Sequence, residues 1–165
     1  LGSKMKNFKP DKLVQQRSSA WLKLGGKLAT TIKQDAQKGI SQDPDGKPFP
    51  PYKESYAIKK AAGKATPKGV RSDRQVSPPN LRATGNMLGS ISPQKATKDS
   101  VEIIYREGLK VIGNANPPAR LKKGKRNIYG LNDKNWEFAR DFIDDEIDQK
   151  ILKFNRKKVF FDIKV

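Results

Sequence analysis

Histidine and cysteine are both missing from this 165-residue chain. Their absence excludes His-based catalytic triads, cysteine nucleophiles, Cys/His zinc sites and any disulfide framework. It also removes the side chain used most often for acid–base work near neutral pH. A carboxylate or lysine enzyme survives only in principle, so the chain reads as a non-enzyme with no cofactor and no metal. Long apolar runs are missing as well: nothing approaches the ~20 residues of a membrane-spanning helix. Leu1–Pro10 carries scattered lysines and no apolar signal core, which points to a chain made and kept in the cytoplasm, with no membrane partner. Leu1-Gly2-Ser3, ahead of Lys4-Met5, reads as a tag remnant and is set aside, leaving 4–165 as one domain.

Negative charge is scarce: 17 Asp and Glu stand against 35 Lys and Arg, a net +18. The excess lies in Leu1–Gly130, while Leu131–Val165 balances to zero. Such a chain attracts polyanions or acidic protein surfaces, and its self-repulsion favours a partner. Hydrophobic residues make up 35%, lean for a folded domain, and 13 Gly and 11 Pro imply long loops around a modest core.

Periodicity predicts an α+β domain: two main helices against a small antiparallel sheet, with long basic loops. Trp21, Leu24, Leu28, Ile32 and Ala36, with Val14 before them, place one stripe along a helix from Asp11 to Gly39, a natural C-cap. Gly25-Gly26 interrupts that helix, predicting either a kink or the close approach of another backbone. Ser41–Pro51 is loop chemistry. Tyr52–Ala62 suits a short helix with Tyr52, Tyr56 and Lys60 on one side. Gly63–Asn80 reads as an exposed arm. Leu81–Ile91 reads as a short helix or turn entering a strand, with Leu81, Leu88 and Ile91 in the core.

Ser100–Arg106 and Leu109–Gly113 read as a hairpin around Glu107-Gly108. Asn114–Gly130 is loop again, followed by a helix capped by Asn132 or Asp133, with a stripe of Trp136, Ala139, Ile143, Ile147 and Ile151. Trp21 and Trp136 should both face the core. Lys158–Val165 reads as an edge strand.

Several chemical motifs fail on inspection. Asp141, Asp144, Asp145 and Asp148 lie opposite the apolar stripe without histidine, so a solvated acidic face is the simpler reading. Asp43-Pro44-Asp45-Gly46 imitates a calcium loop but has Pro48 at the position that needs glycine. Gly124-Lys125 lacks the upstream glycine of a phosphate loop. Arg120, Lys122, Lys123, Lys125 and Arg126 put five cations in seven residues. They fit backbone contact with nucleic acid, independent of sequence, contact with an acidic protein neighbour, or a merely solvated loop. The two basic loops, 63–80 and 114–126, are expected to order only against neighbours.

Three segments appear in a telling order. Asp45-Gly46-Lys47-Pro48-Phe49-Pro50-Pro51-Tyr52 follows the first helix. Leu81-Arg82-Ala83-Thr84-Gly85-Asn86-Met87-Leu88-Gly89-Ser90-Ile91 is similar to an L-x-x-T-G-x-L-x-x-S-I pattern. Arg126-Asn127-Ile128-Tyr129-Gly130-Leu131-Asn132-Asp133 opens the last helix. Together, with Asp45, Gly46, Pro48, Phe49, Leu81, Thr84, Gly85, Ser90, Ile91, Arg126, Gly130 and Leu131 as the matching positions, the chain resembles the phage virion morphogenesis family. These are the tail-completion proteins of tailed phages, alongside the small head–tail connection and tail-terminator proteins. The resemblance spans Asp11 to Ile151. It implies a non-enzymatic subunit of a homo-oligomeric ring, a hexamer, at the head–tail junction or tail top. Its neighbours would be connector, tail tube or sheath proteins, and genomic DNA would pass through its channel. It would be assembled in the host cytoplasm and carried in the virion. The competing reading is a basic module that binds nucleic-acid backbone without sequence specificity.

Overall fold

The computed structural model describes residues 10–66, 73–82, 84–97, 99–115 and 124–148. The order is α1 (Pro10–Gln37), α2 (Glu54–Ala61), α3 (Asn86–Gly89), β1 (Ile91–Ala96), β2 (Val101–Tyr105), α4 (Gly108–Ala115) and α5 (Asp133–Phe142). A π-helical turn, Ile143–Asp148, follows α5. This is an α+β fold in which the long first helix backs a two-stranded antiparallel sheet. Among the described residues no helix is long and apolar enough to cross a membrane.

The stripe on α1 buries Leu24, Leu28, Ala29, Ile32 and Ala36. Leu24 and Leu28 pack with Ala139 and Phe142 of α5, and Trp21, partly buried, packs against that group. Ala29, Ile32 and Ala36 pack instead with Phe49, Leu88, Ile91, Val111 and Ile128. Ile103 and Leu131 touch both groups and join them. Each fully buried Leu or Ile contributes about 1.5–3 kcal/mol of transfer free energy, so α1 is the main organiser of the core.

Helix α1 runs unbroken through Gly25-Gly26, and close approach is the reason for the first glycine. A Cβ on Gly25 would lie 2.6 Å from a Val101 methyl and 3.0 Å from Pro93 Cβ. The sheet therefore rests on a notch in the helix. Gly39, at φ +76°, ends α1 in a Schellman arrangement, with Ile40 N–H on the Asp35 carbonyl (2.8 Å) and Gly39 N–H on that of Ala36 (3.2 Å).

Three expectations are corrected. Leu109–Gly113 is not a strand: it lies in α4, which turns Val111 and Ala115 inward at helical spacing. A short apolar run is ambiguous between strand and helix, and here the core accepts it from one side only. The hairpin partner of β2 is β1, with Ile91 opposite Tyr105, Pro93 opposite Ile103 and an irregularity before Ala96 opposite Val101. Beyond Ala96 and before Val101, Thr97 N–H meets the Ser100 carbonyl at 2.8 Å.

Trp136 is 55% exposed rather than core-facing. Asn135 takes the inward position beside Ala139 and Phe142, because its amide completes a buried polar network. Residues 73–80 of the expected arm are held against α2 by Lys60. The expected strand Lys158–Val165, Ile151, residues 67–72 and residues 116–123 lie outside the described residues.

Candidate functional site

The three motif segments, far apart in sequence, fold against one another. After Gly39 the chain reverses through a turn that brings Ile40 beside Pro48, with Ser41 N–H on the Lys47 carbonyl at 2.9 Å. That reversal delivers Phe49 into the core with Leu88 and Ile91 of the second segment and Ile128 of the third. Asp45 and Lys47 form an exposed ion pair on the turn. Beyond it, Tyr52 O–H accepts a hydrogen bond from Leu81 N–H at 3.1 Å, tying the first segment to the second. Leu81 holds φ +50°, a left-handed conformation that a bulky residue adopts only when its surroundings impose it.

Arg126 ties the third segment to the first. It is 5% exposed, and its guanidinium donates to the Pro50 carbonyl from Nε (3.1 Å) and Nη2 (3.0 Å). Nη2 also reaches the Pro51 carbonyl (2.7 Å), and the cation lies 4.8 Å from the Tyr52 ring centroid. Burial lowers its pKa from the ordinary guanidinium value, the direction desolvation imposes on a cation. Proline carbonyls suit this role, since consecutive prolines present acceptors without competing N–H donors. The expectation that Arg126 is an outward cation of the basic loop is thereby corrected.

Lys125 points outward and pairs with Asp43 at 3.0 Å. Asp43 also accepts from Ser41 Oγ (2.7 Å) and Asn127 Nδ2 (3.1 Å). Its pKa falls below 3.8, chiefly through the Ser41 bond, with Lys125 and Asn127 adding to it against a counteracting cost of burial. Arg120, Lys122 and Lys123 lie outside the described residues.

No family model, curated protein or solved structure matches the chain. The remaining motif positions are structural. Gly85 (φ +89°) and Gly130 (φ +97°) hold left-handed turns that an L side chain would strain. Thr84 Oγ1 accepts from Asn86 N–H at a long 3.4 Å at the start of α3. Ser90 Oγ donates to the Met87 carbonyl (2.8 Å) and accepts from Glu107 N–H (3.3 Å), linking α3 to the turn before α4. Tyr105, whose burial pushes the pKa of its hydroxyl up to about 12, packs at 5.5 Å, tilted by 46°, against the exposed Tyr129 ring.

Two buried polar centres were not read from the sequence. In the first, Asp35 Oδ2 accepts from Gln42 Nε2 (3.0 Å) and Asn135 Nδ2 (2.9 Å), and Asn135 also donates to Gln42 Oε1 (2.9 Å). Asn132 caps α5 through Asn135 N–H at 3.0 Å and donates to the Ser41 carbonyl. The signal available was Asp35, an acid beside the apolar stripe of a basic helix. The second centre is Lys60, fully buried, which donates to Asp73 (3.2 Å), Asn80 Oδ1 (2.9 Å) and the Gln75 carbonyl. Its nitrogen lies 5.5 Å from the Tyr52 ring centroid, so Lys60 and Arg126 share one aromatic ring.

Among the described residues a groove lies elsewhere, between α1 and α5. It is open, about 470 Å³, and lined by Lys23, Gly26, Lys27, Thr30, Thr31 and Phe138. Lys27 lies over the Phe138 and Phe142 rings at 5.8 and 5.2 Å. Such cation–aromatic contacts seal the α1–α5 seam rather than present a reactive group.

Proposed function

We propose that this chain is a non-enzymatic structural subunit of a tailed-phage virion, a ring-forming tail-completion, tail-terminator or head–tail joining protein. One observation carries the reading: the three segments that resemble the virion morphogenesis family meet in one interlocked junction. Phe49, Leu88, Ile91 and Ile128 form its apolar centre, and Arg126 clamps Pro50 and Pro51 beside Tyr52. Such a meeting is what motifs that specify one folded body would give. In this reading the motifs specify a rigid body, and the surfaces of that body make the contacts with other subunits. The subunit forms a ring, hexameric by the resemblance, whose neighbours are connector, tail tube or sheath proteins, with genomic DNA passing through its channel. It assembles in the host cytoplasm and ends in the virion at the head–tail junction or tail top.

Negative-stain imaging of the purified chain, with mass measurement in solution, tests the proposal. Closed rings are the expected result. A monomer that binds DNA with a steep salt dependence would replace it with the basic nucleic-acid module.

A further inference from the structure

Among the exposed apolar side chains of the described residues, those of α4 and α5 lie in different electrostatic settings. On α5 the inward positions are Asn135, Ala139 and Phe142, which leaves Trp136 55% exposed. Around and beyond it on the outward side are Asp133, Lys134, Glu137, Arg140, Asp141, Asp144 and Asp145, all exposed, five carboxylates against two cations. On α4 the inward residues are Val111 and Ala115, while Leu109 is 88% and Ile112 58% exposed, one helical turn apart. Arg106 is exposed just before that helix, and Lys110 sits between the two apolar residues, paired with Glu107 at 2.6 Å. Lys125 closes the far end, where Arg126 N–H meets the Asn114 carbonyl at 2.8 Å.

A chain of net +18 repels its own copies unless an acidic face of one meets a basic face of the next. The acidic side chains of α5 supply that face, and an exposed tryptophan beside them is the residue type that most often anchors a protein interface. We propose that the Trp136 face of α5 in one copy docks on the Leu109–Ile112 face of α4 in the next copy. The two apolar patches form the dry centre, and the carboxylates of α5 meet Arg106, Lys110 and Lys125 at the rim. Such a contact uses two different patches, so each copy keeps one of each free, and repetition closes a ring when the rotation permits. This inference rests on the ring reading and names the contact that builds it.

The test uses Trp136→Lys, which blocks the α5 face, and Leu109→Asp, which blocks the α4 face, in the full chain. Both positions are exposed, so each variant should melt as the unmodified protein does. By sedimentation velocity the unmodified chain should form an assembly larger than a dimer, and each variant should associate about 30-fold more weakly, the loss typical of a central interface residue. Mixed in equal amounts, the two variants should give a dimer and nothing larger, because one intact face of each kind remains. If either variant fails to fold, Glu137→Lys and Lys110→Glu replace them: each alone should weaken assembly, and an equal mixture should restore assemblies larger than a dimer, because the reversed charges complement each other as the original ones do. Variants that assemble like the unmodified chain, or a mixture of folded variants that stays monomeric, would overturn the contact while leaving the ring. An unmodified chain that stays monomeric would overturn both.

Discussion

Neighbouring glycines in α1 are chemically identical and structurally opposite. A methyl group on Gly25 would sit 2.6 Å from the Val101 side chain, whereas one on Gly26 would meet nothing within 4 Å. Gly25→Ala should therefore destabilise the fold by about 1–3 kcal/mol through overpacking. Gly26→Ala should stabilise it by up to about 1 kcal/mol, the helix-propensity difference. Thermal melts of the two variants check the pair, and equal shifts would show that the sheet does not rest in this notch. Lys60 is the other residue whose surroundings define it. Lys60→Met would leave Asp73, Asn80 and a backbone carbonyl without their shared donor, and breaking such a buried pair costs about 3–5 kcal/mol. Denaturant unfolding should show that loss, and amide exchange should show residues 73–80 losing protection first.

At the scale of elements, segments without regular structure are held by polar side chains. Asp43 joins the turn after α1 to residues 125–127, and Asp73 joins residues 73–80 to α2. Burial, the largest influence on Asp73, raises its pKa, but hydrogen bonds from Gln75 N–H, Asn80 and Lys60 outweigh it and leave the pKa below 3.8. Asp43 is lowered as well, chiefly by Ser41. With folded-state values below the unfolded ones, the unfolded chain takes up protons first as the solution acidifies. Their contribution to stability is full above the ordinary carboxylate value and is lost as pH falls through the lower folded values. The melting temperature should thus hold steady above about pH 5 and drop below it. Asp43→Asn combined with Asp73→Asn should flatten that drop, and an unchanged acid limb would show that other carboxylates cause it.

For the whole molecule, the question is where the net charge of +18 is used. Arg126 is internal and belongs with the fold, so the informative variant changes Arg120, Lys122 and Lys123 to Ser and leaves Arg126 in place. In the proposed ring, cations facing a DNA channel bind backbone loosely, in a salt-dependent and mobile manner. Losing them should leave heads joined to tails but impair genome retention or ejection. Cations facing an acidic ring instead would leave free heads and free tails. Electron microscopy of lysates together with infectivity separates these outcomes, and normal infectious particles would show a solvated surface. Contact with an acidic protein ring is the expected outcome, because two consecutive prolines in the sequence, Pro117-Pro118, reduce the chain entropy that docking against a fixed neighbour would cost.

Local patterns in the sequence determined the α+β class, the long first helix and its Gly39 terminus, the short second helix, a cap at Asn132 or Asp133 and the burial of Leu88 and Ile91. These follow from spacing and capping chemistry that act within a few residues of one another. The tertiary structure alone decided the rest. Leu109–Gly113 became helix because only one of its sides meets the core. Asn135 displaced Trp136 from the interior because Asp35 and Gln42, about a hundred residues earlier, required its amide. Arg126 and Lys60 turned inward because proline carbonyls, Tyr52 and Asp73 converged there. Charge marks a side chain as surface by default, and only partners brought together by the folded chain can hold it inside.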